Sequence, residues 1–300
     1  MPSPAAELLS DGSVGNCGMI VLGNDGAQVF VPDGAELDQA LERTTHMAVG
    51  AHPDDLPLMG FHGIIECFGR ADKWFLGVTA TDGAGSPRSG RYSDYDEAEM
   101  ARVRAEEEKS AAVIGEYGAA VLLNYPSSEV KTRNESLVSD LVSLIETAGP
   151  RIVYTHNLAD RHATHVGIAL ATIDALRALP PRSRPGSVYG GEVWRDLDWL
   201  VGDDKVALDL SGRESLAARL LGVYESQLSG GKRYDRGIAG RWMAHATFSE
   251  SHEVDRASAL SYAMDLTPLI TEDVDPVEYI DRYVSHLRAD IVSQVTRLGG

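Results

Sequence analysis

Two short segments of this 300-residue chain carry side chains that could do chemistry together: Ala51-His52-Pro53-Asp54-Asp55 and Thr155 to His165, THNLADRHATH. His162 and His165 stand three residues apart, so in the first turn of a helix they project from nearly the same face. His52 and Asp55 have the same spacing across a turn that Pro53 makes rigid. Imidazole and carboxylate groups are zinc donors, and three of them with a fourth position open turn a bound water into an accessible nucleophile. His52, Asp55 and His165 can supply that set, for one Zn2+ per chain.

Donors more than a hundred positions apart need a scaffold that joins them, and the hydropathy pattern describes one. Extended apolar runs at 44–51, 73–80, 119–124 and 151–155 alternate with helical stretches at 56–68, 96–115, 135–147 and 162–179. Strands alternating with helices of this length predict an α/β fold, a Rossmann-like, mostly parallel sheet with helices on both faces. Such sheets bind ligands beyond the carboxyl ends of their strands, where both segments fall.

Before this body, residues 17–31 read as two apolar runs around Asn24-Asp25-Gly26, which predicts a β-hairpin extension within residues 1–40. After it, residues 180–300 predict a C-terminal elaboration: an extended run at 188–194, a strand near 206–210, helices around 214–228 and 236–248, and an amphipathic stretch from 277 to 298. With no Pro/Ser-rich linker to cut it, the chain is expected to be a single domain.

A net charge of -18 disfavours nucleic acid and other polyanions as partners. No window approaches the roughly 20 apolar residues of a membrane span, and the N-terminus lacks the basic start and apolar stretch of a signal peptide, so the expected location is cytoplasmic. The two cysteines, Cys17 and Cys67, are too few for a disulfide framework and read as small buried side chains.

The two segments resemble the LmbE-like (PIG-L) deacetylase family, whose members carry AHPDD after the first strand and a TH...D.HpDH segment after a later one. Thr81-Asp82-Gly83, Arg104-Ala105-Glu106-Glu107 and Tyr125-Pro126 match intermediate signals of that family. The resemblance implies a zinc N-deacetylase acting on a small N-acylated, sugar-like substrate. It implies His52, Asp55 and His165 as metal ligands and Asp54 as general base. His162 would stabilise the oxyanion and protonate the leaving amine, and Arg104 would touch substrate. These roles agree with what amide hydrolysis needs: activated water, a Lewis acid on the carbonyl and a proton for a poor leaving group.

This chain departs from the family pattern twice. Leu56 stands where many members have Glu, and Thr164 replaces the Asp of HPDH. Asp160 or Asp82 could take over from that missing carboxylate, and both join Asn157 as candidate substrate-side residues.

Plainer readings compete at each position. Asp54 or Asp55 could cap a helix, Arg88 and Arg91 could belong to a solvated turn, and His46 and His62 read as structural. Asn157 could fix its loop, while Glu192, Trp194, Gln227, Arg233, Tyr234 and His245 could cap the site or pack in the core. The same groups could also serve a zinc hydratase of a small unsaturated acid or a catalytically inactive sugar-binding module. A homo-oligomer is possible.

Overall fold

The computed structural model describes residues 20–132, 134–229 and 231–299. Among the described residues eight strands form one sheet: β1 (Gln28–Phe30), β2 (His46–Gly50), β3 (Phe75–Thr81), β4 (Ala119–Tyr125), β5 (Ile152–His156), β6 (Ser187–Gly191), β7 (Val206–Asp209) and β8 (Leu260–Asp265), in the order 1-4-3-2-5-6-8-7. The five central strands β4, β3, β2, β5 and β6 run parallel. β1 joins β4 antiparallel, and β8 joins both β6 and β7 antiparallel. The sheet is therefore mixed, parallel through its five central strands and antiparallel at both edges. Crossover helices force parallel pairing only within the alternating body; the edge strands come from the segments before and after it.

The helices are α1 (Leu37–Glu42), α2 (Leu56–Met59), α3 (Phe61–Cys67), α4 (Glu97–Ile114), α5 (Ser127–Val130), α6 (Glu135–Ala148), α7 (Ala163–Ala178), α8 (Glu214–Gly222), α9 (Glu225–Leu228), α10 (Tyr234–Phe248), α11 (Pro268–Thr271) and α12 (Pro276–Gly299). Local chemistry sets their ends. Asp96 and Glu99 form a reciprocal capping box at the start of α4. Asn134 caps α6 by accepting from the Ser136 and Leu137 N–H groups, and Gly149 closes that helix at φ 54°. The helix expected over 56–68 breaks into α2 and α3 at Gly60. A Cβ there would lie 3.0 Å from both the Ala48 Cβ and the Leu56 carbonyl, so only glycine lets the chain pass this close to β2.

Alternation along the strands builds two cores. Met47 and Val49 of β2 face one cluster with Leu141 of α6 and Ile168 of α7, while Ala48 faces the other with Leu56 of α2 and Leu220 of α8. The chain thus leaves β2 toward one face and β5 toward the other. β2 and β5 are parallel neighbours, so their carboxyl ends bound a crevice of the kind where α/β sheets bind ligands.

The hairpin around Asn24-Asp25-Gly26 is revised. Residues 20–27 hold no strand, residues 17–19 lie outside the described residues, and β1 pairs with β4 instead. Asn24 explains the change: its amide donates to the Leu123 and Asn124 carbonyls at 2.8 and 2.9 Å, fastening the turn to β4. No helix among the described residues is long and apolar enough to cross a membrane.

Candidate metal and active site

The loop after β2 delivers His52, Asp54 and Asp55, with Asp55 at the N-cap of α2. The turn after β5 delivers Asn157, Asp160 and His162, and His165 lies in the first turn of α7. These two connections bring the three expected ligands together. Asp55 Oδ2 lies 3.1 Å from His52 Nδ1 and 3.4 Å from His165 Nε2, and those two nitrogens are 3.2 Å apart. A tetrahedral zinc with bonds of about 2.0–2.2 Å separates its ligands by about 3.3–3.5 Å, so the three atoms already stand near the edges of such a tetrahedron. Asp55 and His165 are buried and His52 is half-buried, which leaves one side of the triad open.

The electrostatics suit a cation. Burial alone would raise the Asp55 carboxyl, but His165, His156 and His52 around it hold it well below the usual carboxylate range. Burial would lower His165, yet Asp55 and Asp160 on its two sides hold it above the usual histidine range.

His156 and His162 complete the ring of imidazoles. His156 stacks on His165 with centroids 3.9 Å apart, and its Nε2 accepts the Ala51 N–H at 2.9 Å while lying 3.3 Å from Asp55. That backbone bond occupies the lone pair facing the site. His156 therefore buttresses Asp55 and His165, with which it forms a group close enough to hold an ion, and burial, with His165 beside it, lowers its pKa to about 4. His162 sits over the open side, its ring centroid 5.0 Å from that of His52 and 4.7 Å from that of His165, with its buried Nδ1 unpartnered. Burial, then His165 and His52, lower its imidazole.

The candidate substrate-side residues fall elsewhere than expected. Arg104, on α4, is 1% exposed and cannot meet a ligand from solvent. Its guanidinium pairs with Asp54 and, at 3.2 Å, with Glu107. Glu107 in turn accepts from the Ser226 N–H and hydroxyl, both at 2.7 Å. Asp54 is thus anchored from behind by a charged chain reaching into the C-terminal part of the molecule. Gly83, at φ +69°, lets its loop lie directly on this arginine, whose Cγ is 3.0 Å from where a Cβ would stand.

Asp160 is buried as well. It accepts the His162 and Trp194 backbone N–H groups at 2.8 and 3.0 Å, and it faces His165 Nδ1 at 3.4 Å, an ion-pair contact rather than a full hydrogen bond. A carboxylate behind a ligating imidazole fixes its ring and raises its basicity. Asp160 therefore backs His165, and its charge also favours the protonated form of His162, the part expected of the carboxylate lost at Thr164. Asn157 is fully buried and fixes its loop, donating to the Gly191 carbonyl at 2.8 Å and accepting from the Ala159 N–H at 3.0 Å. Asp82 accepts the Ala84 N–H at 2.9 Å, a turn within its own loop.

In the C-terminal part, Trp194 and Tyr234 reach the site. The Trp194 ring lies parallel to His162 at 6.4 Å and meets Tyr234 edge-on at 6.0 Å. Glu192 and His245 form a buried pair at 2.9 Å, and Glu192 also accepts the Leu197 and Tyr262 N–H groups. Arg88 binds the Tyr95 carbonyl at 2.7 Å and Arg91 pairs with Glu225, so both close loops. His46 and His62 bond Thr45 and Tyr154, and burial pushes the Cys67 thiol up to about 12.

Residues 47–176, from β2 into α7, match the family model of PIG-L, the GlcNAc-PI de-N-acetylases. A curated relative, the uncharacterized deacetylase YaiS of Escherichia coli K12, is 28% identical over 155 residues, which cover 50% of this chain and 77% of that protein. Among solved structures, the chain resembles N,N'-diacetylchitobiose deacetylase from Pyrococcus horikoshii at a TM-score of 0.56 and 16% identity, covering 73% of this chain and 83% of that one. It also resembles GalB, the 4-carboxy-2-hydroxymuconate hydratase of Pseudomonas putida KT2440, at a TM-score of 0.57 and 16% identity, covering 77% and 100%. At those identities the structural matches show a shared α/β fold.

Proposed function

We propose that this chain, which carries a PIG-L domain and is a hydrolytic N-deacetylase, uses one zinc ion held by His52, Asp55 and His165 to cleave the N-acetyl group from a small, sugar-like substrate. The observation that carries this reading is the triad of donor atoms 3.1–3.4 Å apart beneath an open side. The donor set fits zinc: two imidazoles and one carboxylate, with Asp160 behind His165.

A zinc ion bound there supplies Lewis acidity to an amide carbonyl and makes a water more acidic. Asp54, beside the triad and fixed by Arg104, accepts the proton of the attacking water. His162, over the open side, donates to the developing oxyanion and delivers the proton that the leaving nitrogen needs. The surroundings that lower its pKa make its protonated form a stronger acid, and a scarcer one at neutral pH.

The sugar-like substrate is supported by the half-buried Trp194 ring next to His162, since an aromatic face packs against the C–H face of a pyranose. The Pyrococcus deacetylase, named for an acetylated amino sugar, is consistent with this class. We place the protein in the cytoplasm, on its sequence features.

The test is a coupled assay on N-acetylglucosamine with zinc-loaded and chelated protein. Acetate and free amine should appear in equal amounts, and chelation should abolish both. Turnover that survives complete chelation would overturn the zinc mechanism. Consumption of an unsaturated acid with no amine released would favour the hydratase alternative.

A further inference from the structure

Beside Asp54 lies a small cavity of about 10 Å³ lined by Asp54, Leu58, Leu221, Tyr224, Leu228 and Tyr234. Its walls come from α2 and from α8, α9 and α10 of the C-terminal part. Leu58, Leu221 and Tyr224 are nearly inaccessible, at 3%, 5% and 3% exposure, while Leu228 and Tyr234 are half-buried. The Tyr224 hydroxyl donates to Glu108 at 2.8 Å, so the cavity meets its ring and not its polar end. The volume suffices for one water-sized group, but a water needs two to four polar partners. Here Asp54 is the one charged neighbour in an otherwise aliphatic and aromatic wall.

An amide at the triad presents two substituents, the acyl chain and the amine-bearing body. The open side, flanked by His162 and the Trp194 ring, is where the large one would lie. The narrow cavity beside Asp54 matches the small one in size.

We infer that this cavity is an acyl-length filter which admits the methyl of an acetyl group and rejects longer acyl chains, with Leu228 and Tyr234 as its specificity-determining residues. The inference rests on the deacetylase reading and deepens it. Hydrolysis adds water across the C–N bond and gives a carboxylic acid and an amine, so the filter governs both the substrate and the acid released. A closed wall rejects an added methylene by overlap, and one methylene is worth roughly 10-fold or more in such a pocket.

The experiment measures kcat/KM of the zinc-loaded chain on N-acetyl-, N-propionyl- and N-butyryl-glucosamine, for the wild type and Leu228→Ala. In parallel, calorimetry measures binding of acetate and butyrate to the same proteins. The wild type should lose at least about 10-fold per added methylene and bind acetate more tightly than butyrate, the reverse of the order that apolar burial alone gives. Leu228→Ala should raise the butyryl-to-acetyl ratio at least about 10-fold. Wild-type rates that stay level or rise with chain length overturn the filter, and this arm decides even if the variant does not fold. An unchanged ratio in a folded variant overturns the role of Leu228. If no amide is cleaved but acetate still binds more tightly than butyrate, the filter stands and the deacetylase reading falls.

Discussion

The guanidinium of Arg104 grips the carboxylate of Asp54 from a position 1% exposed to solvent. An arginine there can orient Asp54, the proposed general base, but is covered from a substrate in solvent. Its removal would leave Asp54 and Glu107 as uncompensated charges in a covered site.

Arg104→Ala should therefore cost about 3–5 kcal/mol of stability as well as turnover, read by chemical denaturation alongside kinetics. A raised KM with unchanged stability would instead fit an arginine in contact with substrate.

Asp54→Ala should keep one zinc per chain and lose about 10²–10⁴-fold in kcat, the usual worth of a positioned general base. Metal analysis and steady-state rates on the same preparation check this. Loss of the metal would show that Asp54 belongs to the ligand set.

Asp160→Asn should weaken zinc binding by about 10–100-fold, because Asp160 faces the nitrogen of His165 turned away from the triad. Competition with a calibrated chelator measures it, and an unchanged affinity would remove Asp160 from the metal's support.

Glu108 provides a pH signature away from the metal. Burial pushes its carboxyl up to about 8 from 4.5, although Tyr224 and Arg104 pull the other way. The folded state then keeps a proton that the unfolded chain releases, so stability falls as pH rises from about 4.5 to about 8, by at most about 1.4 kcal/mol per pH unit. Glu108→Gln should remove that slope, leaving the variant more stable than the wild type at pH 8. Parallel unfolding curves across this window would contradict it.

The sequence read well wherever local periodicity decides the structure. The strand expected at 119–124 is Ala119–Tyr125, and the helix expected at 135–147 is Glu135–Ala148. It also placed His52, Asp55 and His165 at adjoining strand ends, because β-α alternation determines where such ends meet. What it missed depends on distant partners. Arg104 on a charged helix gives no sign that Asp54, fifty positions earlier, buries it. Asp160 shows nothing of its turn toward His165. The strand Leu260–Asp265 owes its place to antiparallel pairing with β6 and β7 and not to strand-helix alternation.

The most direct test is X-ray absorption spectroscopy or anomalous diffraction on the zinc-loaded protein. One zinc should bind per chain to His52 Nδ1, an Asp55 carboxylate oxygen and His165 Nε2 at about 2.0–2.2 Å, with a fourth position open to solvent, and His165→Ala should abolish it. A chain that takes up no zinc, or a zinc held by His162 in place of Asp55, would contradict the account.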